Sequence, residues 1–129
     1  MKHTILIAFM MFIAYASMAQ KQTNSSPTKN STEMKTYVIE REIPNAGSLT
    51  DEQLQAISKK SNDVLKTLGP KIQWVESYVT GNKIYCVYKA ENEELIKEHA
   101  EKGGFPANKI TQVSSIISPA TADGVIQKQ

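Results

Sequence analysis

His99, Cys86 and Glu40 are side chains of this 129-residue sequence whose types and positions invite a chemical reading. His99 lies at helical spacing with Leu95, Ile96 and Ala100, so it belongs to the inward face of a helix. An imidazole there serves as a ligand or as an acid–base group near neutral pH. One ring does not make a metal site. It needs carboxylates such as Glu40, Glu98 or Glu101, or a second subunit. The competing reading is a part-buried ring hydrogen-bonded to backbone or to a carboxylate. His99 also stands three residues before Lys102, close to a helix C-terminus. There the dipole favours a proton on the ring, whereas a metal requires the neutral form. Cys86 falls mid-strand between Tyr85 and Val87, where the ordinary role of a free thiol is that of a small core hydrophobe. Glu40, Glu42 and Glu76 occupy strand positions. Glu40 and Glu76 are placed to pair with Arg41, Lys71 or His99, or else to line a solvated sheet edge.

The common catalytic signatures are absent: C-x-x-C, H-E-x-x-H, a Gly-rich phosphate loop and the nucleophile elbow. The chain therefore reads as a binding protein rather than an enzyme. Lys plus Arg number 15 against 13 for Asp plus Glu, which leaves no electrostatic footprint for nucleic acid and no basic cluster for an anionic membrane. A single Cys excludes an internal disulfide, so the fold must rest on its apolar core.

The elements that position these residues follow from periodicity. Lys35 to Glu42 alternates as a strand, with Tyr37, Ile39 and Arg41 on one side and Val38, Glu40 and Glu42 on the other. Thr50 and Gln53 form a capping box that opens a helix, with Leu49 and Leu54 as its hydrophobic staple. Leu54, Ile57, Ser61, Val64, Leu65 and Leu68 make one helix face, and Gly69-Pro70 ends it. Ile72 to Val79 and Ile84 to Lys89 form a hairpin around Gly81-Asn82. Strict alternation puts Trp74 and Tyr78 on one face and Val75 and Val79 on the other. Large apolar groups on both faces point to a homodimer packed through the helix-free side. A second helix runs from Glu93 to Lys102 behind Asn92, with Glu93–Lys97 and Glu98–Lys102 pairs outside. Gly103-Gly104 stops it, and Ile110 to Ile117 reads as the last strand. The order is β-α-β-β-α-β, an α+β ferredoxin-like fold: an antiparallel sheet with two helices on one face.

The first residues have a different character. Lys2, the uncharged run Ile5 to Tyr15 and the small residues of Ser17-Met18-Ala19 have the layout of a cleaved export signal. The run is shorter than the ~20 apolar residues of a spanning helix. No Cys follows it for lipid anchoring. The sequence divides into a signal peptide at 1–19, a flexible polar linker at 20–34, a ferredoxin-like domain at 35–120 and a polar tail at 121–129. The expected location is periplasmic or extracellular, with no membrane association once the signal is removed.

Five blocks support a family resemblance: Tyr37-Val38-Ile39-Glu40-Arg41, Trp74 to Val79, Lys83 to Tyr88, Glu98-His99-Ala100 and Gly103-Gly104-Phe105-Pro106-Ala107-Asn108. In this order they resemble a small bacterial ferredoxin-like family related to a nickel-binding protein from actinobacteria. The resemblance implies a dimer of ferredoxin-like subunits and nickel binding, with His99, Glu40 and Cys86 inside the matching blocks. The leading expectation is thus an exported binding protein for nickel or another divalent metal. The alternative is a small-ligand binder or enzyme of the dimeric ferredoxin-like barrel type, with an apolar cavity lined by Tyr85, Tyr88 or Trp74. A third is a purely structural or interaction domain.

Overall fold

The computed structural model describes residues 32–129. The expected signal at 1–19 and nearly all of the expected linker lie outside the described residues. Strand β1 spans Lys35–Glu42, helix α1 Asp51–Leu68, β2 Ile72–Val79, β3 Lys83–Ala90, α2 Glu93–Gly103 and β4 Lys109–Gln112. The sheet order is β2-β3-β1-β4, antiparallel throughout. With both helices on one face, this is the ferredoxin-like arrangement.

Local chemistry sets the helix ends. Thr50 Oγ1 accepts from the Gln53 N–H at 3.3 Å, and Gln53 Oε1 accepts from the Thr50 N–H at 2.9 Å, completing the capping box of α1. Asn92 Oδ1 caps α2 through the Leu95 N–H at 3.1 Å. The Glu93–Lys97 and Glu98–Lys102 pairs form on its outer side at 3.0 and 2.8 Å. Gly104 takes the left-handed conformation at φ 65°, and the Phe105 N–H returns to the Ala100 carbonyl at 2.8 Å. This reversal folds the Phe105 ring back over α2. A Cβ on Gly103 would lie 2.3 Å from that ring, so the glycine makes room for it.

The pairing register sorts the sheet into rows. Trp74, Tyr88 and Tyr37 form one, Ser77, Cys86, Ile39 and Ile110 the next, and Val79, Ile84 and Arg41 a third, all facing the helices. Val38, Glu40, Glu76, Tyr78, Tyr85 and Val87 face away from them. The core gathers where the inner rows meet Ile96 of α2, with Leu65 and Leu68 of α1 packed against it.

Strict alternation along β2 does not hold. The register slips between Trp74 and Glu76, and Val75 is the extra residue of a β-bulge. Trp74 and Val79 therefore share the inner face, while Tyr78 turns outward. Val75 and Tyr78 remain 52% and 54% exposed.

The last strand is also shorter than the expected Ile110 to Ile117. After β4 the Val113 N–H donates to the Thr36 carbonyl at 2.8 Å and the chain turns away. Strand β5 (Ser115–Ile116) then pairs with β6 (Gln127–Lys128), across a 3₁₀ turn at Pro119–Asp123. Gln129 Oε1 accepts from the Thr36 hydroxyl, so the chain end covers one end of the outer sheet face. Among the described residues no helix is long and apolar enough to cross a membrane.

Candidate functional site

Serines open a cleft between α1 and the sheet. Ser58 and Ser61 interrupt the apolar face of α1, and Ser77 stands between Trp74 and Val79 on the inner side of β2. Their small side chains leave a half-open cleft of about 70 Å³. Its walls are Leu54 and Ile57 from the helix, and Trp74, Val79 and Ile84 from the sheet. Tyr88, Arg41 and Phe105 also line it. Trp74 is held in place by its Nε1–H donating to Ser77 Oγ at 2.9 Å.

A buried polar cluster adjoins the cleft. Ser61 Oγ lies 3.1 Å from the Tyr88 hydroxyl and 3.0 Å from His99 Nε2. The His99 ring is 0% exposed and sits between Tyr88 and Phe105, with centroids 5.1 and 5.5 Å away. Its Nδ1 has no hydrogen-bond partner among the described residues. We assign the proton to Nε2, donating to Ser61 Oγ. A bare buried lone pair on Nδ1 is less costly than a buried orphan N–H.

Arg41 completes the cluster and is 4% exposed. Its Nε–H donates to Cys86 Sγ at 3.3 Å and its Nη1 to the Pro106 carbonyl at 2.6 Å. Its guanidinium carbon stands 5.4 Å from the centroid of the Phe105 ring. Nη2 has no partner among the described residues.

These positions decide the protonation of His99. Burial, reinforced by the Arg41 charge and only partly offset by Ser61, pushes its pKa down to about 4. The helix dipole, expected to favour the protonated ring, is overridden by desolvation. Burial likewise raises the Tyr88 phenol, with Ser61 and Arg41 opposing it.

The three ligand candidates are not brought together. His99 lies under α2 with Nε2 occupied by Ser61, and Cys86 faces the same side with Sγ occupied by Arg41. Glu40 is on the opposite face, near Lys83 at 3.4 Å and Lys109 at 3.7 Å. Glu76, considered as a partner for Arg41, Lys71 or His99, instead accepts from the Tyr78 hydroxyl on that same outer face. Among the described residues no group of three His, Cys, Asp or Glu side chains converges on one point. The described residues of one chain therefore do not fit an intrachain nickel site. Of the expected cavity residues, Trp74 and Tyr88 line the cleft. Tyr85 pairs with Tyr78 and Glu40 on the outer face instead.

The family model described as "Nickel responsive protein SCO4226-like" matches residues 37–113, more than half of the chain. The chain belongs to this family. The matched span runs from β1 to just past β4 and includes every residue of the polar cluster. The crystal structure of SCO4226 from Streptomyces coelicolor A3(2) superposes with a TM-score of 0.55 at 16% identity. The match covers 64% of this chain and 99% of that one, and at this identity it speaks for the shared fold. No curated protein matches the chain significantly. The family and fold expected from the five sequence blocks are those found.

Proposed function

We propose that this chain is a non-enzymatic, exported binding protein that seats a small, largely apolar molecule between α1 and the sheet. The observation that carries this reading is the cleft. It is half-open, and its apolar walls meet a few fixed polar groups, the lining pattern of small-molecule sites. The Ser61–His99 pair matches a nucleophile and base in distance alone. A base must become imidazolium, and here burial and Arg41 oppose that charge while no acid holds Nδ1. Trp74 is the one tryptophan of the chain and lines the cleft, so its emission reports occupancy. Titration with neutral 1-naphthol should be saturable and change that emission. Ser58→Leu, which fills the cleft, should weaken binding about tenfold, or 1.4 kcal/mol, by calorimetry. No saturable binding, or binding indifferent to Ser58→Leu, overturns the reading.

Family membership favours a second reading, the binding of nickel or another divalent metal. Since the ligand-type side chains do not converge among the described residues, such a site would be carboxylate-rich and shared between two copies. Calorimetry with nickel and zinc on the protein and on His99→Ala tests it. A loss of about tenfold ties the metal to His99. Unchanged affinity with a lowered melting temperature removes that residue from the metal reading.

A further inference from the structure

We infer that the molecule held in this cleft carries one carboxylate on an apolar body, and that Arg41 receives the carboxylate. This rests on the reading of the cleft as a binding site and adds the chemical class of its ligand.

The argument starts from the charge balance around Arg41. A guanidinium does not lose its proton in a protein, so burial cannot neutralise it. Its neighbours, Cys86 Sγ, the Pro106 carbonyl and the Phe105 ring, are formally neutral groups. Among the described residues no Asp or Glu pairs with it, although lysines of both sheet and helices find carboxylates at the surface. A buried charge lacking both a counter-ion and one hydrogen-bond acceptor is a standing destabilisation of the empty fold. One carboxylate supplies both missing elements, and its two oxygens match the planar guanidinium fork.

The rest of the cleft narrows the ligand further. Arg41 is the one charged residue lining it, which fits a single negative charge better than a doubly charged phosphate. His99 stays neutral beside it, so the cluster holds one positive charge. Ser61 and Tyr88 place hydroxyls in the same lining, and Leu54, Ile57 and Val79 face the remaining volume with hydrocarbon.

The test compares matched acids and amides. The purified protein is titrated at pH 7.5 with 4-phenylbutyrate and octanoate and with their neutral amides, by calorimetry and by Trp74 emission. At least one acid should bind about tenfold more tightly than its amide. Arg41→Met should abolish that preference, and Arg41→Lys should retain part of it. Equal affinity for acid and amide overturns the carboxylate inference and leaves the cleft reading standing. If neither member of any pair binds, the inference falls, and the 1-naphthol titration decides whether the cleft reading falls with it. Should Arg41→Met fail to fold, the acid–amide comparison on the unsubstituted protein still decides.

Discussion

Ser61 Oγ and His99 Nε2 sit 3.0 Å apart, joining the middle of α1 to the inner side of α2 through one buried hydrogen bond. The same oxygen reaches the Tyr88 hydroxyl at 3.1 Å, so one small residue links both helices to the sheet. Ser61→Ala leaves two buried polar atoms without this partner. It should cost about 1–3 kcal/mol, read by urea denaturation. A change below about 0.5 kcal/mol, the scale of a neutral surface substitution, would mean that the link contributes little.

The neutral state of His99 makes stability depend on pH. Its folded pKa of about 4 lies below the ordinary 6.5. The unfolded chain therefore takes up a proton that the folded chain refuses. The contribution is fully present above pH 6.5, declines as pH falls towards 4 and is gone below that. It amounts to at most about 3 kcal/mol. Denaturation at pH 7.5, 6.5, 5.5 and 4.5 should show this decline, and His99→Leu should flatten the portion between 6.5 and 5.5. A parallel decline in both proteins would assign the effect to other groups.

Gly103→Ala should destabilise, against the usual sign for a helix. Alanine normally gains about 1 kcal/mol over glycine in a helix. Here its Cβ would meet the Phe105 ring at 2.3 Å, an overpacking that costs about 1–3 kcal/mol. Thermal denaturation separates the two signs. A raised melting temperature would show that Phe105 yields easily.

The outer sheet face presents Val38, Tyr78, Tyr85 and Val87 without a covering helix. Sedimentation at micromolar concentration should show two chains per particle, and Tyr78→Lys should shift the protein towards one. A monodisperse monomer of the unsubstituted protein removes the homodimer proposal.

Export predicts a mature chain starting at Gln20, just after Ser17-Met18-Ala19. Mass spectrometry of protein from its native host checks this. Intact residues 1–19 on most molecules would end the export proposal.

What could be read from the sequence was whatever neighbouring residues determine. The α1 cap depends on Thr50 and Gln53 alone, and the observed helix starts there. The two-residue turn at Gly81-Asn82 is likewise local, closed by the Thr80 N–H donating to the Lys83 carbonyl at 2.9 Å. The bulge at Val75 was not legible, because it exists only in the pairing of β2 with β3. The end of β4 was hidden for the same reason, being set by Val113 against Thr36. Arg41 gave a signal that alternation already contained, since it shares a side with Tyr37 and Ile39. Reading it as a partner for Glu40 or Glu76 missed its burial. Ser61 was equally visible inside an apolar stripe. Its meaning depended on Tyr88 and His99, 27 and 38 residues away.

The bulge also bears on what the sheet refuses to do. Strand β2 is an edge strand, and a straight edge of free N–H and C=O groups is a template on which other chains add strands and aggregate. Val75 interrupts that template in mid-strand and increases the local twist. On the other edge β4 offers only four residues. Both margins of the sheet are thus poor seeds for runaway strand addition, so the proposed pairing of two copies would use its broad surface and close after two.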